Sequence, residues 1–207
     1  MTRWLHVFST FAIGGPQVRA AQILELAGSS VEHLLIAMDG RTECLARCAK
    51  GTRITVVPAP PKAGFWANAK AFAALLRETK PDLLLTYHWG AIEAVLGARL
   101  ARFANVVHHE DGFGPEEASG LFPRRTWLRR ILLRRPRVIV VPSQNLERIA
   151  TKVWWLPPGR VHYLPNGVDL ERFRPAPAKT RDPLVVGCVG AFRGEKNQAM
   201  QLRAFAM

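Results

Sequence analysis

With 207 residues, 48% of them apolar, the chain has room for one sizeable domain and part of a second. No stretch approaches the ~20 apolar residues of a membrane-spanning helix, and three cysteines make no disulfide framework. A formal charge of +13, with 22 of the 29 basic residues arginine, points to an anionic partner: nucleic acid, a phospholipid surface or a phosphorylated substrate.

Residues 1–15 carry one arginine and an apolar run broken by His6, Ser9 and Thr10, without a signal-peptide h-region or cleavage site. They read as a first strand. From there apolar, strand-length runs alternate with amphipathic stretches. The predicted strands are 5–8, 33–38, 54–57, 83–87, 105–108, 138–141 and 161–164, and the predicted helices 17–27, 65–77, 92–102, 123–134 and 144–153. Ser143 is placed to cap the last of these. Strand–helix alternation with near-continuous apolar strands predicts an α/β fold, a Rossmann-like parallel sheet with helices on both faces. Cys44 and Cys48, four apart without further ligands, are expected in the core, and a reducing cytoplasm suits them.

Ligands of such sheets sit beyond the carboxyl ends of the strands. The first strand runs into Gly14-Gly15-Pro16 before a helix, which is either a tight turn or a phosphate cradle. The fourth ends in His88-Trp89-Gly90, an ordinary strand exit or the lining of a sugar site. The fifth ends in His108-His109-Glu110-Asp111-Gly112, the densest polar cluster in the chain. Its imidazoles suit proton transfer or the orientation of a hydroxyl. Consecutive ligands on one extended segment cannot converge on a metal, so no metal is expected.

Residues 123–137 contain seven arginines and no acid. On a helix, Trp127, Leu128, Ile131 and Leu132 form one stripe, with Arg125, Arg129, Arg130 and Arg134 around the other side. This suits an anionic surface, or a surface helix whose stripe faces the core. After strand 161–164 comes Pro165-Asn166-Gly167, a turn sequence, and then a Pro-rich stretch. A new apolar strand, 184–189, and a helix from Gln198 follow. The expected organisation is a domain over 1–165, a linker over 166–183, and the start of another domain over 184–207. The segment 166–183 is expected to act as a hinge.

The run LPNGVDLERFRP at 164–175, followed by VVGCVGAFRGEKNQ at 185–198, is the most specific feature of the chain. With the Gly-Gly turn and VVHHEDGFG, it resembles family 4 glycosyltransferases of the GT-B type. The resemblance covers the whole chain. It implies that 1–165 binds the acceptor and that a retaining transfer takes a sugar from a nucleotide-sugar to a cell-envelope or polysaccharide acceptor, glycan or lipid-linked. No cofactor is implied. It places Gly14, Gly15 and Lys196 at the donor phosphates. Arg193 stands in for an arginine that the family carries where this chain has Ala191. It makes His109, then His108, the imidazole beside the reacting sugar, with Glu110 and Asp111 next to it, and His88 and Trp89 on the acceptor.

The family's nucleotide pocket and paired glutamates have no counterpart up to Glu195, the last glutamate. The chain by itself is therefore expected to be a truncated, inactive enzyme, or one half of a split one. A cytoplasmic protein, peripheral on the inner face of the plasma membrane, is the expected setting. Two other classes compete. A non-catalytic basic module for anionic lipid or nucleic acid would explain the charge, but it lacks aromatics interleaved with bases. A dinucleotide-dependent oxidoreductase would need G-x-G-x-x-G and a later acid, which are not present.

Overall fold

The computed structural model describes residues 1–61, 63–113, 117, 120–171, 173–175, 185–190, 192 and 194–206. They fall into two compact units, Met1–Gly167 and Val168–Met207.

The first unit is a parallel sheet of seven strands: β1 (Thr2–Phe8), β2 (Val31–Ala37), β3 (Ile54–Val56), β4 (Leu83–Tyr87), β5 (Val106–His109), β6 (Val138–Val141) and β7 (Val161–Tyr163). Their order is β3-β2-β1-β4-β5-β6-β7. The chain therefore reverses its direction of winding between β1 and β4, which places a ligand crevice at their carboxyl ends. In register, Phe8 pairs with Tyr87 and Tyr87 with His109, so three strands end level with one another.

The helices are α1 (Gly15–Leu26), α2 (Phe65–Thr79), α3 (Ile92–Leu100), α4 (Pro123–Leu132) and α5 (Gln144–Arg148). Ser143 caps α5, its Oγ accepting from the Leu146 amide at 3.2 Å. The expected helix 144–153 then loosens into one π-turn at Ile149–Val153. Alternate strand residues divide the core. Leu5, Val7 and Leu84 pack with Phe72, Leu76, Ala94 and Ala98 of α2 and α3. Phe8, Leu35, Leu85 and Tyr87 pack with Ala20 and Ala21 of α1, and buried Cys44 joins them. A third cluster joins Ile139 and Val141 to Leu132, Leu146 and Trp154. Helices α2 and α3 touch closely at Gly97, where a Cβ would lie 2.5 Å from that of Phe72.

The α1 face also buries polar groups. His6 Nε2 lies 3.1 Å from His33 Nδ1, and His6 Nδ1 lies 3.3 Å from Tyr87 Oη. Burial first, and neighbouring His33 and His109 second, lower the pKa of His6 well below the ordinary value, so it is neutral.

The second unit holds a helix, α6 (Gln198–Phe205), preceded by a single 3-10 turn, Gly194–Lys196. The strand expected over 184–189 is not formed at 185–189. A strand needs a neighbour for its amides, and the described residues of this unit provide none.

Candidate active site

Four strand ends meet at the β1/β4 crevice. After β1, residues 9–14 loop back; the Ala12 amide donates to Thr10 Oγ1 at 3.2 Å and Gln17 Nε2 to the Thr10 carbonyl at 3.2 Å. Gly14 precedes α1 in an extended conformation. A Cβ there would meet Gln17 Oε1 at 2.6 Å, whereas a Cβ on Gly15 would meet nothing within 4 Å. The first turn of α1 thus opens onto free space, with its backbone N–H groups available to an anion. Pro16 takes an early position where no amide is needed.

After β4, His88 has φ 60° and ψ 179°. That region is nearly exclusive to glycine and costs of order 1–3 kcal/mol for another residue. Its amide still donates to the His109 carbonyl at 2.8 Å. Its imidazole is the partly exposed one of the cluster, at 26%. Nε2 lies 3.4 Å from Asp111 Oδ2 and Nδ1 3.8 Å from Glu110 Oε1. The turn that follows passes tightly against β1: a Cβ on Gly90 would lie 2.2 Å from the Ser9 Cβ.

The cluster at 108–111 is not the open loop that its composition suggests. His108 and His109 lie within β5 and point to opposite faces of the sheet. His108 is sealed, its Nδ1 2.8 Å from Thr86 Oγ1. His109 is 6% exposed and stacked on Tyr87, with ring centroids 4.8 Å apart. Its Nδ1 has no hydrogen-bond partner among the described residues. Burial, with Arg19, His108 and His88 nearby, pushes its pKa down to about 3. His109 is therefore a neutral group in the floor of the site, and His88 is the imidazole that reaches solvent.

The carboxylates separate in the same way. On the His108 side, Glu110 Oε2 lies 3.3 Å from Arg129 Nε and 3.9 Å from His108 Nε2. Burial pushes the Glu110 carboxyl up, but the adjoining His108, Arg129 and His88 hold it below the ordinary value. On the other side Asp111 pairs with Arg19 of α1 at 2.5 Å. The Arg19 Nη1 also donates to Asn166 Oδ1 at 2.6 Å, which ties the Asp111 loop to the Asn-Gly turn after β7. Arg19 had no signal in the sequence, because one arginine in an amphipathic helix looks like any solvated position.

The arginine helix needs correction. Arg129 is not on a membrane-facing surface; it is 1% exposed. Its guanidinium donates to both oxygens of Glu117 at 3.1 and 3.2 Å and lies 5.0–5.4 Å from the rings of Trp89, Phe113 and Trp154. The other three arginines are also engaged. Arg125 pairs with Glu117 at 3.2 Å, Arg130 Nε donates to the Val153 carbonyl at 2.8 Å, and Arg134 donates to the Trp155 carbonyl at 3.2 Å. Helix α4 is rotated from the expected orientation: Thr126, Arg129 and Leu132 face in, while Trp127 and Ile131 are exposed. The reason is electrostatic. Glu110 and Glu117 are buried and require a cation, and Arg129 occupies the core position that an apolar residue would otherwise fill.

Trp89, Ser9, Asp39, Asn68 and Glu93 line a cavity of about 630 Å³ at the ends of β1, β2 and β4. Lys196 lies exposed in the second unit. Arg193 lies outside the described residues.

The glycosyltransferase family 4 model matches residues 13–172. The chain belongs to glycosyltransferase family 4. No curated protein matches this family member in sequence. Its fold is similar to that of a glycosyltransferase from Rickettsia africae, at TM-score 0.62 and 13% identity, over 100% of this chain and 50% of that one. It is similar to Anabaena Alr3699/HepE in complex with UDP and glucose, at TM-score 0.65 and 16% identity, over 86% and 47%. It is also similar to a UDP-GlcNAc 2-epimerase from Neisseria meningitidis, at TM-score 0.52 and 16% identity, over 78% and 46%. The chain spans about half the length of these structures. The family member thus has the Rossmann-like α/β architecture of one half of a GT-B fold. Among its described residues no helix is long and apolar enough to cross a membrane.

Proposed function

We propose that this chain forms the acceptor-binding half of a retaining glycosyltransferase, which moves a sugar from a nucleotide-sugar to a cell-envelope or polysaccharide glycan at the membrane surface. The observation that carries the reading is His88, a strained residue at the β1/β4 crevice whose imidazole lies 3.4 Å from Asp111 and 3.8 Å from Glu110. Strain of this kind persists where surrounding contacts over-determine it, and it clusters at functional sites. UDP with glucose in Anabaena Alr3699/HepE supports a uridine diphosphate sugar as donor.

In this reading the open first turn of α1 at Gly15 receives a donor phosphate. His88 holds the acceptor hydroxyl and its proton. Asp111 and Glu110 orient the ring, and Trp89 forms a wall of the acceptor cavity. His109, neutral and stacked on Tyr87, forms the floor beside the reacting sugar. Positioning and charge stabilisation would supply most of the rate. The non-catalytic basic module is the weaker reading, because Arg129 is internal and its three neighbours are held by the protein.

The test is UDP release from UDP-glucose by a protein carrying this chain together with a donor-binding domain, in the presence of a glycan acceptor. Acceptor-dependent release that falls at least 100-fold in both His88→Ala and His109→Ala is the expected outcome. Release that is unchanged in both variants overturns the site assignment.

A further inference from the structure

The formal charge of +13 is not explained by α4, whose arginines 125, 129, 130 and 134 are held by the protein itself. Part of that charge gathers at the other end of the sheet. A concavity of about 300 Å³ lies there, between the end of α3, the start of β5 and the turn after α4. Arg99, Arg102 and Arg135 all line it, and no acidic residue does. Val106, in its wall, and His109, in the candidate active site, are the first and last residues of β5. The two sites thus lie at opposite ends of the strands.

The backbone around the concavity is fixed. Helix α3 ends in a two-bond cap: the Phe103 amide donates to the Ala98 carbonyl at 2.8 Å, and the Arg102 amide to the Arg99 carbonyl at 3.1 Å. Arg102 has the left-handed φ of 56° that this cap demands, at a position where glycine is the usual and easier residue. On the other wall the Arg135 amide donates to the Leu132 carbonyl at 3.1 Å and the Arg137 amide to the Val106 carbonyl at 2.9 Å.

Cations near a helix end are ordinarily explained by the carbonyls there. That suits Arg77, which donates to the Leu100 carbonyl at 2.9 Å, and Arg160, which donates to the Arg134 carbonyl at 2.6 Å. It does not cover the three guanidinium groups of the concavity. They are exposed and make no ion pair or hydrogen bond with the described residues. They repel one another beside buried Val95, Ala98, Val106 and Pro136, an apolar wall that strengthens charge interactions. An anion placed among them would relieve that repulsion.

The lining also selects the kind of anion. A carboxylate has one charge and two oxygens, enough for one guanidinium, whereas a phosphate monoester spreads roughly two charges over three oxygens. Phe103 and the aliphatic wall offer an apolar face beside the cations, and no lining side chain except arginine can hydrogen-bond. We infer that this concavity binds a small organic phosphate, its phosphate on Arg99, Arg102 and Arg135 and a flat ring against Phe103. The site does not depend on the transferase reading.

The test is calorimetry on the 207-residue chain with phenyl phosphate, inorganic phosphate and benzoate, and sedimentation with phosphatidic acid vesicles. Phenyl phosphate is expected to bind at least about tenfold more tightly than inorganic phosphate or benzoate, since it alone engages both cations and ring. Arg135→Gln should weaken it about tenfold. Arg102→Gly separates binding from folding. It removes a guanidinium and relieves the left-handed position, so the melting temperature should hold or rise while affinity falls about tenfold. Gly15→Ala, at the proposed donor site, should leave affinity within about twofold.

Inorganic phosphate binding as tightly as phenyl phosphate means an adventitious ion only, and overturns the inference. Affinity unchanged in both arginine variants, or lost in Gly15→Ala, means that the phosphate lies elsewhere. Phenyl phosphate that does not bind overturns it too; if vesicles then sediment the parent but not Arg102→Gly, the phosphate taken is a lipid headgroup on a membrane. No sugar donor or acceptor enters these measurements, so failure here leaves the transferase reading in place, and failure of transfer leaves these results legible.

Discussion

Arg129 meets Glu117 through two parallel contacts, 3.1 and 3.2 Å, with both side chains 1% exposed. The same guanidinium also reaches Glu110. One cation thus neutralises two carboxylates that have left water, and it anchors α4 to the site. Arg129→Met removes it and leaves both carboxylates buried. A loss of about 3–5 kcal/mol in urea unfolding at pH 7 is expected.

The pH dependence of that loss has a definite sign. The pKa values of Glu110 and Glu117 are lowered in the folded protein, in spite of a burial effect that acts to raise them. Their stabilisation is present above the unfolded carboxylate pKa and is lost as pH falls through the folded values. In Arg129→Met the same groups prefer to be protonated. The gap between parent and variant should be widest near neutrality and narrow below about pH 4.5. A gap independent of pH would show that the loss is one of packing alone.

The histidines of the opposite face give a second pH test. His109 has a pKa of about 3 and that of His6 is also lowered, so both are neutral in the fold, while an unfolded histidine titrates near the ordinary 6.5. The unfolded chain therefore binds more protons as pH drops below 6.5. Stability is full above that value and falls by about 1.4 kcal/mol per pH unit for each such group until its folded pKa is reached. His109→Gln should remove one group's share of the slope between pH 6 and 4. Equal slopes in parent and variant would show that His109 is protonated in the folded state.

Much of this architecture was legible in the sequence, and the failures have physical causes. Parallel strands covered on both faces are continuous apolar runs, so all seven were found within a few residues. The crevice was found because strand ends carry the polar clusters. The orientation of α4 was not, because hydrophobic periodicity assigns tryptophan inward and arginine outward, and here Trp127 and Arg129 do the reverse. Periodicity does not register the demand of Glu110 and Glu117 for a cation. The division of His108 and His109 between two faces follows from where β5 ends, the least certain feature of any strand. Arg19 acquires meaning only through Asp111 and Asn166, which lie far from it in sequence.

The two glycines of the β4 and β1 turns should respond differently to alanine. At Gly90 the added Cβ would lie 2.2 Å from the Ser9 Cβ and 3.2 Å from its backbone Cα, so something rigid must move. A loss of about 1–3 kcal/mol in stability is expected for Gly90→Ala. At Gly15 the added Cβ meets nothing. Gly15→Ala should fold with an unchanged melting temperature, yet place a methyl where the donor phosphate would approach. In an active protein carrying this chain, KM for the nucleotide-sugar should rise about tenfold, equivalent to roughly 1.4 kcal/mol. An unchanged KM would remove the first turn of α1 from the donor site.

His88 separates strain from chemistry. Its backbone sits where a Cβ is unwelcome, and its amide is fixed by the His109 carbonyl at 2.8 Å, so the conformation is held whatever the side chain. His88→Ala keeps the Cβ and therefore the strain; His88→Gly releases it. The glycine variant should be more stable than the alanine variant by about 1–3 kcal/mol in urea unfolding. Neither retains an imidazole beside Asp111 and Glu110, so both should lose transfer alike, by at least about 100-fold in kcat. The two readouts are independent. If His88 is there for folding, the glycine variant recovers activity as it recovers stability. If it is there for chemistry, stability returns and turnover does not. A glycine variant no more stable than the alanine variant would show that the backbone relaxes once the imidazole is gone, in which case Asp111 and Glu110, by holding the ring, impose the strained conformation.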